Sequence, residues 1–132
     1  MAYLIWAVNA YCPHIELGNT IQKPELVRAL SRATGLVEGM VDYSIKELRD
    51  QIVSFNRTGR PVKVVGLGTF TPTISLDGEF NIVYRPDTAL SSGINLPGIF
   101  SGRLINRENI GLSTDELVEK WNTAHPDDPV SG

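Results

Sequence analysis

Val62-Lys63-Val64-Val65-Gly66-Leu67-Gly68-Thr69-Phe70 is the stretch whose reading decides the fold. A β-branched run breaks at two glycines one residue apart and resumes at once. With Val62 and Val64 on one face at period two, it predicts a strand, a tight bend and a second strand. Gly66 and Gly68 would supply the positive φ or the close backbone approach that such a bend needs.

Downstream, Pro72 inside Thr69 to Ile74 marks the second strand as an edge or a bulge. Asp77-Gly78 is a turn signal, and a third strand should run from Phe80 to Arg85 and stop at Pro86. Pro86 to Leu90 then opens a short helix that Gly93 should end. Upstream lie two helical patterns. Gln22-Lys23-Pro24-Glu25 reads as a helix start, with Leu26, Val27, Leu30 and Ala33 on one face and Gly35 beyond the end. Val37, Met40, Val41, Ile45, Leu48, Ile52 and Phe55 recur at three- and four-residue steps and predict a second helix, while Lys46, Glu47, Arg49 and Asp50 form its solvated side.

The two ends of the chain read differently. Residues 2–8 and 15–17 are short β-prone pieces around a turn that holds Cys12-Pro13. Past Asn95 the pattern loosens into an extended segment, then Ser113-Thr114-Asp115-Glu116 forms a capping box for a last helix to about Thr123. Pro126 to Pro129 reads as a frayed terminus. The expected organisation is one domain over residues 1–95, including an N-terminal β extension, and a C-terminal extension over 96–132.

Composition is that of a soluble globular chain, with 42% hydrophobic and 20% charged residues among 132. No run approaches transmembrane length, and Tyr3 to Val8 lacks the basic flank of a signal peptide, so a cytoplasmic location is expected. The single cysteine, Cys12, fits a reducing compartment. Net charge is −3 but uneven: residues 23–107 carry eleven Lys or Arg against eight Asp or Glu, whereas 108–132 carry one Lys against six acids. The acidity belongs to the tail, and the middle is mildly basic.

Catalytic chemistry is not legible. Gly66-Leu67-Gly68 lacks the third glycine of a dinucleotide loop, which would fall at Thr71, and a strand follows it instead of a helix. Cys12 and His14 have no third group to orient them. His14 and His125 are not spaced for a metal. Asp115-Glu116 and Asp127-Asp128 are accounted for by capping and by a solvated end. No enzyme, cofactor or metal is expected.

In order and in motif these elements resemble the HU and integration host factor family of bacterial DNA-binding proteins. Lys23-Pro24-Glu25-Leu26-Val27-Arg28-Ala29-Leu30 with Thr34-Gly35-Leu36 looks like the family's first helix, Val64 to Phe70 like its central signature, and Tyr84-Arg85-Pro86-Asp87-Thr88-Ala89-Leu90 like its last strand-to-helix junction. The extra N-terminal strand is similar to HU-related domains of Bacteroidetes-type bacteria. The resemblance implies an α+β fold of two helices, a three-stranded antiparallel sheet and a short final helix. It also implies an intertwined homodimer located in the nucleoid and binding double-stranded DNA. The family's long basic, proline-tipped arm is replaced here by Ser75-Leu76-Asp77-Gly78-Glu79, so the minor-groove wedge is absent. What the resemblance leaves is phosphate contact at the body: Lys23, Arg60, Lys63 and Arg85, with the backbone N–H groups of Gly66, Gly68 and Thr69. The alternative expectation is a protein-interaction module of the same fold, with the acidic extension docking on a partner or masking the basic face.

Overall fold

The computed structural model describes residues 2–130 and has the expected α+β architecture. Its elements are α1 (Leu4–Tyr11), β1 (His14–Glu16), α2 (Lys23–Thr34), α3 (Glu38–Arg57), β2 (Val62–Val64), β3 (Gly68–Ile74), β4 (Phe80–Pro86), α4 (Thr88–Ile94), β5 (Arg103–Ile105) and α5 (Thr114–Ala124). They fall into two compact units. One is Thr20–Phe100; the other takes the two ends of the chain, up to Asn19 and from Ser101 onward. No helix among the described residues is long and apolar enough to cross a membrane.

In the central unit α2 and α3 pack on each other, and α3 packs on a meander of order β2-β3-β4. The register puts Val62 opposite Phe70 and Phe70 opposite Tyr84, with Val64, Gly68 and Pro86 in the next row of the same face. Val62 and Val64 are half-buried while Lys63 is exposed, so this face turns to α3 and the odd-numbered residues face away. Pro72 sits in the central strand, where a missing N–H would cost a ladder bond. It is tolerated because β2 spans only positions 68–70 of β3, so the strand has an open side from residue 71 onward. The predicted stop at Gly93 is not used: α4 continues to Ile94, and the Asn95 side-chain amide donates to the Ser91 carbonyl at 2.8 Å.

The apolar stripe of α3 is only partly covered. Val41 and Ile52 are buried, but Met40, Leu48 and Phe55 remain exposed, as do Leu26 and Leu30 of α2. Buried apolar side chains among the described residues are Ala2, Ala7, Val27, Val41, Ile52 and Leu117, a small core for a chain of this length.

The unit built from the chain ends corrects two expectations. Residues 4–11 form a helix, not a strand, although Leu4-Ile5-Trp6 is β-prone. The reason is tertiary: the helix C-terminus, which has no internal partners for its last carbonyls, finds them far along the chain. Asn106 Nδ2 donates to Ala10 O (2.9 Å) and Cys12 O (3.2 Å), and Asn109 Nδ2 donates to Tyr11 O at 2.6 Å. Asn106 does this from a left-handed backbone, φ +58°, that asparagine tolerates better than most residues. Asn109 is 1% exposed, and its Oδ1 accepts from Lys120 of α5. The strand expected over 15–17 is β1, and its partner is β5, with Ile15 opposite Leu104.

The C-terminal residues are not frayed either. Trp121 Nε1 donates to Asp128 O at 2.8 Å, Val130 N–H donates to Asn122 Oδ1 at 2.8 Å, and Ala2 N–H donates to Pro129 O. Prolines 126 and 129 leave few backbone donors to satisfy, which suits a segment held mainly through its carbonyls. The capping box forms as read, with Ser113 Oγ accepting from the Glu116 N–H at 3.2 Å.

Candidate nucleic-acid interface

Antiparallel register brings three of the predicted residues into one row. Lys63 of β2 lies opposite Thr69 of β3, and Thr69 lies opposite Arg85 of β4. They share the face turned away from α3, with Thr71, Thr73, Asn81 and Val83 continuing it toward the turn. Two strand spacings put the cationic backbones about 10 Å apart, with a hydroxyl between them. Neither Lys63 nor Arg85 is in an ion pair among the described residues.

The bend beside this row is built by the two glycines. Leu67 N–H closes a turn onto Val64 O at 2.9 Å, and Gly66 takes φ +91°, as the third position of a type II turn demands. Gly68 has φ +151°, and a Cβ there would lie 2.5 Å from Arg85 O and 2.6 Å from Tyr84 Cε1. Its missing side chain lets β4 cross closely enough for Tyr84 Oη to donate to Leu67 O at 2.7 Å.

Not every predicted contact is available. Gly66 N–H donates to Asp87 Oδ2 at 3.2 Å, so one of the three amides assigned to phosphate is occupied by the chain's own carboxylate. Asp87 Oδ1 accepts from the Ala89 N–H at 2.9 Å as the N-cap of α4. These two backbone N–H groups, that of Ala89 foremost, hold the Asp87 carboxyl below its ordinary value of 3.8, with nearby Lys63 adding to the effect. Lys23 is also engaged: its ammonium lies 2.9 Å from Asp42, which Lys46 contacts at 3.3 Å, and the Asp42 carboxyl is lowered by both, Lys23 first. Arg60 lies away from the row, its guanidinium 5.5 Å from the centre of the Phe55 ring.

Sequence reasoning passed over Arg28 and Arg32, which sit one turn apart on α2, exposed and without an ion pair among the described residues. Their i,i+4 spacing was the signal that could have found them.

The Asp87 contact carries a pH signature. Because folding lowers this carboxyl, its contribution to stability is fully present above 3.8 and is lost as pH falls through the lowered value. Urea unfolding of the parent chain and of Asp87→Asn is expected to show a gap that narrows below that pH. A gap that stays constant across the range would mean that the carboxylate's charge is not what the turn uses.

No family model matches this chain, and no curated protein matches it. Among solved structures it is similar to HU from Thermotoga maritima, with 20% sequence identity and a TM-score of 0.46 over 56% of this chain and 98% of that one. A mutant of the same HU gives 19% identity and a TM-score of 0.48 over 56% of this chain and 99% of that one.

Proposed function

We propose that the protein binds duplex DNA weakly and with little sequence preference, through phosphate contacts on the outer face of its three-stranded sheet, as a homodimer in the nucleoid. The observation that supports this most directly is the row of Lys63, Thr69 and Arg85: two cations, neither in an ion pair among the described residues, flanking a hydroxyl on one sheet face. Support for the homodimer comes from the uncovered stripe of α3, since Met40, Leu48 and Phe55 form an exposed apolar surface of the kind that marks an interaction site. The Ser75 to Glu79 turn is too short to enter a groove, so nothing is inserted between base pairs and no reaction is proposed.

Counterion release sets the test. Two phosphate-contacting cations per chain predict a slope of log K against log salt of about −2 per chain, or about −4 for the dimer. Replacing Lys63 and Arg85 by Glu should abolish measurable binding to a labelled duplex at low salt while leaving the fold intact by circular dichroism. Binding unchanged in that variant, or insensitive to salt, would overturn the reading.

The Asp87 carboxylate on Gly66 favours a second reading, in which the fold serves protein interaction and the acidic end unit meets a partner. That unit holds seven Asp or Glu against three Lys or Arg. No affinity for duplex even at low salt is its expected result. Deleting residues 108–132 would not separate the two readings, because α5 packs on α1 and its removal would uncover the end unit. Neutralising Glu108, Glu119 and Asp127, all exposed and outside the capping box, avoids deleting α5: masking predicts tighter DNA binding, and a pure interaction module predicts none.

A further inference from the structure

Strand β4 is the free rim of the sheet: among the described residues it pairs with β3 alone, and all seven of its residues are exposed. Rim strands are ordinarily protected by charge, proline or a bulge. Here the first five residues, Phe80-Asn81-Ile82-Val83-Tyr84, carry no charge, and protection is confined to Arg85 and Pro86 at one end. Phe80 is 78% and Val83 52% exposed.

We propose that this rim pairs with the same rim of a second copy of the chain, antiparallel and two-fold symmetric about Ile82, joining two three-stranded sheets into one of six strands. The sequence of the strand is self-complementary in that register. Phe80 falls opposite the partner's Tyr84, Asn81 opposite Val83, Ile82 opposite its own copy, and Glu79 opposite Arg85. Each aromatic pair and the central isoleucines lie on the face already apolar in one copy, and such cross-strand pairs are the unit of sheet stabilisation. The charges settle the occupant. Glu79 and Arg85 bracket the strand, both exposed and neither in an ion pair among the described residues, and the symmetric register joins them in two opposite-charge contacts. Shifting the pairing by one residue would put apolar side chains on the polar face.

This contact is separate from the α3 surface and does not depend on DNA binding. It uses the sheet's rim and the backbone groups that β3 leaves unpaired. It would also engage Arg85, placing self-association in competition with phosphate.

The test uses the full chain with Cys12→Ser as background, since Cys12 is its only cysteine. Ile82→Cys should form a disulfide-linked dimer on mild oxidation, because directly opposed antiparallel residues lie within bridging distance. Leu76→Cys, fully exposed at the turn and outside the paired register, is the collision control. By sedimentation, Glu79→Arg should weaken self-association about tenfold and Arg85→Glu similarly, and the double exchange should restore it. Cross-linking at 82 no faster than at 76, or a double exchange no better than the single ones, would overturn the pairing. Failure of the DNA titration would leave it standing, because neither readout contains DNA.

Discussion

Gly68→Ala is expected to destabilise the central unit by about 2–4 kcal/mol, measured as a shift in the urea midpoint at unchanged m-value. Two costs combine. The residue must hold φ +151°, and its Cβ must enter space 2.5 Å from the Arg85 carbonyl oxygen. That oxygen belongs to a sheet ladder and cannot rotate away as a side-chain tip would. Gly66→Ala is the internal comparison: at φ +91° nothing lies within 4 Å of its Cβ, so it bears only the backbone cost of about 1–2 kcal/mol. Equal effects at the two positions would mean that the close approach of β4 is not what Gly68 provides.

Asn109→Ala is expected to cost about 2–3 kcal/mol and to act on the end unit. The side chain is almost fully buried and has both of its roles filled, donating to Tyr11 O and accepting from the Lys120 ammonium. Alanine leaves the part-buried Tyr11 carbonyl without the donor it has in the parent chain, which is costlier than the loss of an exposed bond, whereas the exposed Lys120 ammonium turns to water. Amide exchange should rise across Leu4 to Tyr11. If α1 stays protected while α5 loosens, Asn109 serves Lys120 and not the helix end. A double-mutant cycle with Lys120→Ala would apportion the two contacts.

How much of this was legible depends on the range of the interaction involved. The helices over 23–34 and 38–57, the strands on either side of Gly66 and the capping box at Ser113 were read almost to the residue, because each rests on contacts within a few positions. The helix over 4–11 was not. Its local propensity favours a strand, and what overrides it is a pair of asparagines about a hundred residues later, for which no window of sequence carries a signal. The candidate site divides in the same way. That Lys63 and Arg85 were cations near a glycine bend was visible. Their alignment through Thr69 needed the register of three strands, and the occupation of Gly66 by Asp87 needed a contact between residues 21 positions apart.

By itself, then, the sequence determined which segments coil and which extend between residues 23 and 86, where the chain bends at Gly66 and Gly68, and that its acids collect toward the C-terminal end. Periodicity, propensity and charge are local quantities and survive in one dimension. Only the tertiary structure decided that the two ends of the chain form a unit of their own, that much of the α3 stripe is uncovered, and that β4 is a free rim flanked by Glu79 before it and carrying Arg85 near its end. Those depend on which surfaces meet, and burial is a property of the assembled chain.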